Sequence, residues 1–309
     1  MHKILITPRS FGKHSKKPIE MLEENGYELI VNPYGRILTE DEMIKEIQEA
    51  DGIILGVDPL NSKVLEHAKK LKIVSKYGVG TDNIDLEYAK NHNISVTITR
   101  GANSDAVADY AVALMLAAAR KIVPIDRKCR KLDWSKVTST GMHGKTLGLL
   151  GTGNIGKGVA KRAKGFDMKI LAYDLFKDEE FAAQNGVEYV DIERILKESD
   201  FISLHLPLTD ETRYIIGEKE FKMMKKNAII VNTARGGLID EDALYNALKN
   251  NEIWGAGIDV FESEPPKNKE LLTLDNIVAG SHCAASTFEA VDNMGIMAAQ
   301  NIIDCFQGE

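Results

Sequence analysis

Three side chains able to take part in acid–base and anion-binding chemistry follow three separate apolar runs in the second half of the chain. Arg235 follows the run AIIVNTA, Glu264 lies shortly after WGAGIDV, and His282 ends NIVAGSH. An arginine binds a carboxylate through two parallel hydrogen bonds, and a histidine exchanges a proton near neutral pH. A glutamate beside that histidine would stabilise the imidazolium. The trio suits the reduction of a 2-keto acid, in which Arg235 binds the carboxylate and carbonyl oxygen and His282 protonates the new alkoxide.

A glycine motif typical of dinucleotide sites precedes this trio. The segment GTGNIG places Gly151, Gly153 and Gly156 after the apolar run TLGLL and before a helical pattern. They permit, in turn, a tight turn, a close approach of backbone to pyrophosphate, and close helix–strand packing. The next strand ends in Asp174, 18 residues after Gly156, where a carboxylate would bind the adenosine ribose. Because that carboxylate would repel the 2′-phosphate of NADP, we expect NAD. The alternative is that Asp174 only caps the next helix.

The apolar runs alternate with amphipathic helical stretches along the whole chain. Five runs occupy roughly the first hundred residues and six more lie between 146 and 282. Strands that are apolar throughout indicate parallel sheets covered on both faces. We therefore expect an α/β protein with two doubly wound parallel-sheet domains, whose ligands bind beyond the carboxyl ends of the strands. His205 and Pro207 follow one such strand. We expect His205 to shape the cofactor loop, with a plain structural role as the alternative.

Two helical patterns bear on the assembly of these domains. Residues 103–120 are apolar on nearly every face after the first turn, so this helix must be buried. It is either a packing helix between the domains or a dimer-interface helix, and the two are compatible. A last helix, at about 286–306, has no strand after it, so it could cross back and make the first domain discontinuous.

Composition and charge limit the classes of ligand and the cellular compartment that we expect for this protein. The formal net charge of −7 is spread along 309 residues without a contiguous basic stripe, so we expect no nucleic-acid partner. No apolar stretch approaches the roughly 20 residues of a membrane span, and the first residues lack a signal peptide's apolar region. We expect a cytoplasmic protein without a membrane partner. Cys129, Cys283 and Cys305 lack metal-ligand spacing, so we expect reduced thiols and no metal.

Several motifs in register resemble those of the D-isomer-specific 2-hydroxyacid dehydrogenase family, particularly its phosphoglycerate dehydrogenase branch. The resemblance spans nearly the whole chain. Besides GTGNIG, it rests on SKYGVGTDNID at 75–85, GANSDAVAD at 101–109, SLHLPLTDET at 203–212, NTARGGLID at 232–240, GIDVFESEPP at 257–266 and SHCAAST at 281–287. It implies a Rossmann NAD-binding domain over residues 100–286. It also implies a discontinuous flavodoxin-like substrate domain of residues 1–99, completed by the helix 287–309, that closes as a lid.

The resemblance implies three sets of site residues. The catalytic set is Arg235, Glu264 and His282. The substrate-binding set is Val79, Gly80, Asn103 and Arg235. The cofactor-binding set is Gly151, Gly153, Asn154, Ile155, Gly156, Asp174, His205, Pro207, Thr212, Thr233, Ala234 and Asp259.

Three of these roles are implied by the resemblance alone. Backbone amides around Val79 and Gly80 would hold the substrate carboxylate, because a backbone without side chains can close around an anion. Asp259 would lie near the nicotinamide carboxamide. Asn103 would lie between substrate and nicotinamide, or it is the N-cap of the helix that it opens.

The resemblance makes D-3-phosphoglycerate oxidation, and with it serine biosynthesis, the leading expectation. Reduction of hydroxypyruvate, glyoxylate or another 2-keto acid comes close behind, and an NAD(H)-sensing, corepressor-like binding protein is the alternative from another class. Phosphoglycerate enzymes tend to place an arginine near the end of the third strand, where this chain has 56–58 as Gly-Val-Asp. Lys76, Arg9 and Arg100 are the remaining candidate cations. We further expect a homodimer through the 103–120 helix and no regulatory domain after Glu309.

Overall fold

Two compact units make up the chain. The computed structural model describes residues 1–308, and the chain divides into Met1–Asn103 with Ser286–Glu309, and Ser104–Ala285. Each unit contains one sheet in which all neighbouring strands are parallel. The expected fold class, two doubly wound parallel-sheet domains, is confirmed. Within residues 1–308, none of the helices has the length and apolar character that crossing a membrane requires.

The sheet of the first unit has the order β2-β1-β3-β4-β5, which is the flavodoxin-like order. Strands β1 to β5 are Lys3–Ile6, Glu28–Val31, Gly52–Leu55, Ile73–Lys76 and Ser95–Ile98. Helices α1 to α4 are Lys17–Glu24, Glu40–Ile47, Ser62–Leu65 and Leu86–Asn91. Apolar runs in the sequence predict all five strands.

The last helix, α12 (Phe288–Gln307), completes this unit. With α1 it covers one sheet face, where Ile4 and Ile6 pack near Ala298 and Ile302. The opposite face, which includes Leu5, packs with the buried side chains of α2, α3 and α4. Successive residues of a strand point to opposite faces, so a strand that is apolar throughout contributes side chains to two separate cores. Within this unit, α12 packs against β3 and β4.

The sheet of the second unit has seven strands in the order β12-β11-β10-β9-β6-β7-β8, the Rossmann order with one added edge strand. Strands β6 to β12 are Thr146–Leu150, Lys169–Tyr173, Val187–Tyr189, Phe201–Leu204, Ile229–Asn232, Gly255–Ile258 and Ile277–Ala279. Helices α5 to α11 are Ser104–Ala119, Ile122–Arg130, Asn154–Ala163, Glu179–Asn185, Ile192–Glu198, Glu218–Met223 and Glu241–Lys249. Sequence patterning missed β8, because its three residues contain no apolar run.

Helix α5 is a core element of the second unit. Nine of its 16 residues are buried, and it packs against α7, β10 and β11. Helices α9, α10 and α11 contribute buried side chains to the core on the other face of the sheet. The nearly uniform apolar character of α5 follows from this environment.

The order of the sheet places a crevice between β6 and β9. These strands are neighbours, but the chain leaves them toward opposite edges of the sheet. Ligands of open parallel sheets bind at such a switch point, beyond the carboxyl ends of the strands. The glycine motif follows β6 and His205 follows β9, so both lie at this crevice.

Candidate active site

The glycine loop after β6 has the shape that a dinucleotide phosphate needs. Gly151 has φ +100°, and a Cβ there would lie 2.7 Å from the carbonyl oxygen of His205. A Cβ on Gly156 would lie 2.1 Å from the carbonyl oxygen of Gly151. Around Gly153, by contrast, nothing lies within 4 Å of a Cβ position. The loop is therefore tightly packed on its inner side and leaves the backbone of Gly153 open to a ligand.

Helix α7 presents its N-terminus at this loop. Its N-cap is Gly153, and no side chain of residues 1–308 caps it. The amides of Asn154 and Ile155 belong to the first turn, whose N–H groups have no intrahelical acceptor. A ten-residue helix whose first turn is uncapped favours a negative charge at that position. The residues present fit the pyrophosphate of a dinucleotide.

Asp174 is held beside the glycine loop. Its Oδ2 accepts hydrogen bonds from the amide of Thr152, at 2.6 Å, and from the Thr152 hydroxyl, at 3.0 Å. Its Oδ1 accepts from the amide of Phe176 at 2.9 Å. The alternative that Asp174 caps the next helix is wrong, because Asp178 caps α8. Sequence reasoning missed Thr152 and its 3.0 Å contact with the Tyr189 hydroxyl; its position between two motif glycines was the available signal.

His205 lies beneath the glycine loop as a neutral side chain. Burial lowers its pKa to about 4, and within residues 1–308 neither ring nitrogen has a hydrogen-bond partner. Its Cδ2 lies 3.6 Å from the Cβ position of Gly156, so the ring supports the loop by packing. The turn that follows is closed by the Thr212 hydroxyl, which donates to the carbonyl of Pro207 at 2.7 Å.

The side chains of His282 and Glu264 are hydrogen-bonded to each other. The Nδ1 atom of His282 lies 3.0 Å from each carboxylate oxygen of Glu264, and Oε1 also accepts from the amide of Phe261 at 3.3 Å. Both side chains are partly exposed, 46% for His282 and 40% for Glu264. Because the carboxylate accepts the Nδ1 proton, Nε2 is the ring atom left for a substrate.

Asp259 fixes the loop that carries His282. The Asp259 side chain is 1% exposed; its Oδ1 accepts from the amide of Cys283 at 3.0 Å, and its Oδ2 from that of Ala284 at 2.9 Å. Its carbonyl accepts from the His282 amide at 2.8 Å. One residue thus binds three consecutive amides, and both of its carboxylate oxygens are engaged. The expected contact with the nicotinamide carboxamide stays a prediction.

Cys283 directly follows His282 in the loop that Asp259 holds. Its Sγ lies 3.3 Å from the Tyr110 hydroxyl and 3.7 Å from Oδ1 of Asp259. Burial raises the pKa of Tyr110, so this phenol stays neutral. The thiol thus joins the anchored loop to Tyr110 of α5, and no group of three metal-ligating side chains occurs among residues 1–308.

Arg235 lies on a loop that is built against the one bearing Glu264. The Asn232 side chain donates to the carbonyl of Arg235 at 2.8 Å and accepts from the amide of Ala234 at 3.0 Å. A Cβ on Gly236 would lie 2.1 Å from the backbone of Phe261, three residues before Glu264. Only glycine permits this approach. Sequence reasoning missed Asn232, a buried polar residue at the end of a strand.

Two buried polar side chains among the expected site residues lack partners. Within residues 1–308, neither Oγ1 of Thr233 nor Oδ1 of Asn103 has a hydrogen-bond partner. The suggested N-cap role of Asn103 is therefore absent. An unsatisfied buried oxygen is costly, and a bound ligand is one way to satisfy it.

The proposed carboxylate-binding segment follows β4 in the first unit. The Gly78 amide donates to the hydroxyl of Thr99 at 2.8 Å, and the Thr99 amide donates to the carbonyl of Gly78 at 2.9 Å. Val79, which comes next, is 38% exposed. The segment is thus fixed at one end and accessible, and the role of Val79 and Gly80 stays a prediction.

Comparison with known proteins agrees with this geometry. The family model described as "D-isomer specific 2-hydroxyacid dehydrogenase, NAD binding domain" matches residues 112–284. A glyoxylate reductase of Thermococcus litoralis is 46% identical over 93% of this chain and 92% of that protein. A D-3-phosphoglycerate dehydrogenase of Methanocaldococcus jannaschii is 44% identical over 100% of this chain and 58% of that protein. The D-lactate dehydrogenase of Aquifex aeolicus, solved with NAD and lactic acid, has a TM-score of 0.86 and 30% identity, covering 99% of this chain and 96% of that one.

The chain belongs to the D-isomer-specific 2-hydroxyacid dehydrogenase family. It is an NAD-dependent oxidoreductase that acts on small 2-hydroxy and 2-keto acids. The family expected from the motifs, the cofactor and the enzyme class are confirmed, and the NAD(H)-sensing alternative is not favoured.

Proposed function

We propose that His282, Glu264 and Arg235 are the catalytic residues of this dehydrogenase. The observation that carries the proposal is the 3.0 Å pair between His282 Nδ1 and the Glu264 carboxylate. With Nδ1 held in this way, Nε2 donates a proton to the carbonyl oxygen during reduction and accepts one from the hydroxyl during oxidation. Glu264 orients the ring by accepting the Nδ1 proton.

Arg235 supplies the positive charge for the substrate. Its backbone is fixed by Asn232, and Gly236 ties its loop to the backbone of Phe261. A guanidinium presents donors in a fixed fork, which suits the carboxylate and the neighbouring carbonyl oxygen of a 2-keto acid. Charge that develops on the carbonyl oxygen would be stabilised there.

The cofactor site consists of the glycine loop, the N-terminus of α7, Asp174 and the turn after β9. The amides of Gly153, Asn154 and Ile155 would bind the pyrophosphate, and Asp174 would accept hydrogen bonds from the adenosine ribose. The bound nicotinamide supplies or accepts the hydride. Thr233, with its unpaired hydroxyl, and Ala234 would line the same edge of the sheet.

For the substrate, we propose D-3-phosphoglycerate, with phosphohydroxypyruvate as its 2-keto partner. Support comes from the relative of that name, whose similarity runs along the whole of this chain. This preference would place the enzyme in serine biosynthesis. Glyoxylate or hydroxypyruvate is the second candidate, and two observations favour it: the loop after β3 carries the buried acid Asp58 instead of a cation, and a glyoxylate reductase is 46% identical to this chain.

The test is the decrease in absorbance at 340 nm when purified protein and NADH meet a panel of 2-keto acids. The panel contains phosphohydroxypyruvate, hydroxypyruvate, glyoxylate and pyruvate. A kcat/KM at least tenfold higher for phosphohydroxypyruvate supports the first candidate, and the reverse order supports the second. If none of the four acids causes NADH oxidation, the proposed catalytic residues are contradicted.

We also propose that the enzyme is a homodimer through the region of α5 and the segment that follows it. Most of α5 is buried within its own unit, but the next residues expose Ile122, Leu132 and Trp134, at 51%, 83% and 79%. Large apolar side chains exposed along one segment are typical of a protein interface. Light scattering of the wild type and of Trp134→Ser measures the oligomeric state of each. A variant that stays fully dimeric would contradict this location of the interface.

A further inference from the structure

A chain of hydrogen bonds ends on Asp174, beside the glycine loop. Its Oδ2 accepts from the Thr152 hydroxyl at 3.0 Å, and the oxygen of that hydroxyl lies 3.0 Å from the Tyr189 hydroxyl. The oxygen of Tyr189 in turn accepts from the amide of Asp178 at 3.1 Å. Thr152 lies in the loop after β6, Asp178 caps α8 and Tyr189 ends β8. All four residues belong to the second unit.

Each bond of this chain has a fixed direction. The amide of Asp178 can only donate, so the Tyr189 oxygen accepts from it. A carboxylate can only accept, so the single hydroxyl hydrogen of Thr152 is used on Asp174. The hydrogen between the two hydroxyls must therefore come from Tyr189. Tyr189 thus holds the Thr152 hydroxyl in the orientation in which it donates to Asp174.

The protein's own donors leave one acceptor position of Asp174 open. A carboxylate offers about four lone-pair positions, two on each oxygen. Oδ2 accepts from both the amide and the hydroxyl of Thr152, and Oδ1 accepts from the amide of Phe176. The remaining position is on Oδ1. A ribose hydroxyl can donate to it, whereas a 2′-phosphate presents negatively charged acceptor oxygens.

Tyr189 is itself fixed by the sheet and by α8. Its backbone is paired with Ala172 of β7. Its hydroxyl is held by the amide of Asp178, whose carboxylate accepts from the amide of Phe181 at 2.9 Å and so caps α8. The same carboxylate binds Lys157 of α7. The chain of hydrogen bonds therefore joins the edge strand β8 and the start of α8 to the glycine loop.

We propose that Tyr189 is a specificity-determining residue of the cofactor site, which acts through Thr152 and holds the Asp174 carboxylate as a fixed acceptor for a ribose hydroxyl. The favoured ligand is a dinucleotide whose adenosine ribose carries a free 2′-hydroxyl. Tyr189 is a positioning residue, since it acts through its neighbours. This inference rests on the proposed function, in which Asp174 accepts from the adenosine ribose, and deepens it. It also gives β8 a role, which is to bring Tyr189 to the glycine loop.

The experiment measures the binding of NADH and of NADPH to Tyr189→Phe by fluorescence titration, without turnover. Phenylalanine keeps the ring, whose centroid lies 5.9 Å from the Lys177 ammonium, so the substitution removes the hydroxyl alone. The Kd of NADH should rise about 5- to 20-fold, because an acceptor that is no longer held in place binds the ribose more weakly. The Kd of NADPH should not rise. The ratio of the Kd of NADPH to the Kd of NADH should therefore fall at least about fivefold.

Tyr245→Phe is the matched control. The Tyr245 hydroxyl also takes part in two hydrogen bonds, with Glu270 at 2.6 Å and with Lys249 at 3.0 Å, but it lies on α11. This variant should leave both Kd values within about twofold. Thr152→Val removes the next hydroxyl of the chain and should lower the ratio by a similar factor. Adding Tyr189→Phe to Thr152→Val should then cause no further loss, because the two residues act in series.

Three results would overturn the inference. An equal rise of both Kd values in Tyr189→Phe would mean that Tyr189 only supports the fold, since a general loss of stability leaves the ratio unchanged. Unchanged Kd values, or additive losses in the double variant, would mean that Tyr189 does not act through Thr152.

Asp174→Ala, measured in the same way, separates this inference from the proposed function. If Asp174→Ala lowers the ratio of the two Kd values and Tyr189→Phe does not, the inference fails and the proposed contact between Asp174 and the ribose stands. If Asp174→Ala leaves the ratio unchanged, the proposed contact itself fails, and the inference fails with it.

Discussion

The substitution Asp259→Asn tests whether one buried carboxylate holds His282, the proposed proton donor, in place. Asp259 binds the amides of Cys283 and Ala284 through its side chain and that of His282 through its carbonyl. Asparagine keeps the size but replaces one acceptor oxygen with an NH₂ donor, which then faces a backbone N–H. Losing one hydrogen bond to a charged group costs about 1.5–3 kcal/mol, and the orphaned amide adds to this. The free energy of unfolding should fall by about 2–4 kcal/mol.

This loss should appear in both stability and catalysis. For a unit of this size, about 2–4 kcal/mol corresponds to a Tm lower by about 5–15 °C. Because the released loop carries His282, kcat should fall by about 100-fold, whereas the Kd of NADH should change less than about threefold. Scanning calorimetry, steady-state kinetics and NADH fluorescence titration measure the three quantities.

Asp200→Asn is the matched control. Asp200 is another buried carboxylate of the same unit, at the amino end of the sheet, and it accepts from the amide of Thr146 at 3.0 Å and from Lys225 at 3.1 Å. Its substitution should lower Tm by a similar amount and leave kcat within about twofold. The reasoning is refuted if Asp259→Asn keeps its Tm and kcat but loses NADH affinity. Asp259 would then be a cofactor ligand and not the anchor of the loop.

Two further substitutions test the cofactor loop. Asp174→Ala should relax the preference for NADH over NADPH, because it removes the carboxylate that would repel a 2′-phosphate. The ratio of kcat/KM for NADH to kcat/KM for NADPH measures this preference. An unchanged ratio would mean that another residue recognises the ribose. His205→Leu should flatten the pH dependence of stability. The folded protein protonates His205 only below about pH 4, whereas the unfolded chain does so below about 6.5, so unfolding takes up a proton between these values. Wild-type stability should therefore fall by up to roughly 3 kcal/mol as pH drops from 6.5 to 4. Urea unfolding at both pH values measures the effect, and an identical loss in the variant would disprove it.

The sequence pattern predicts most of the scaffold because its signal is local. Eleven of the 12 strands coincide with apolar runs, and α5 follows from an apolar stretch too long for a strand. The strand β8 escaped, since Val187–Tyr189 is held in place by its pairing with β7 rather than by its own composition. Its position depends on the neighbouring strand β7, and the local sequence of β8 carries no information about that pairing.

The site shows the same contrast between local sequence signals and contacts that depend on the folded sheet. Arg235, Glu264 and His282 are recognisable because each follows a strand, and the register of parallel strands brings strand ends to one edge. The partners that hold them are not recognisable in this way. Asn232 binds the loop of Arg235, and Asp259 binds that of His282; both bonds depend on backbone conformations set by the packed sheet. Likewise, the bond between Thr152 and Asp174 requires that β6 and β7 be paired.

The proton-donor role of His282 is the central claim, and a single-turnover measurement tests it most directly. His282 has φ +56°, a left-handed conformation that asparagine tolerates best among residues with a side chain, so His282→Asn removes the imidazole with little backbone strain. NADH oxidation is followed by stopped flow after mixing with the best 2-keto acid, and NADH affinity is measured separately by fluorescence. We expect the hydride-transfer rate to fall about 10²- to 10⁴-fold while the Kd of NADH changes less than about threefold. A rate close to that of the wild type, or an equal loss of rate and NADH affinity, would contradict the account.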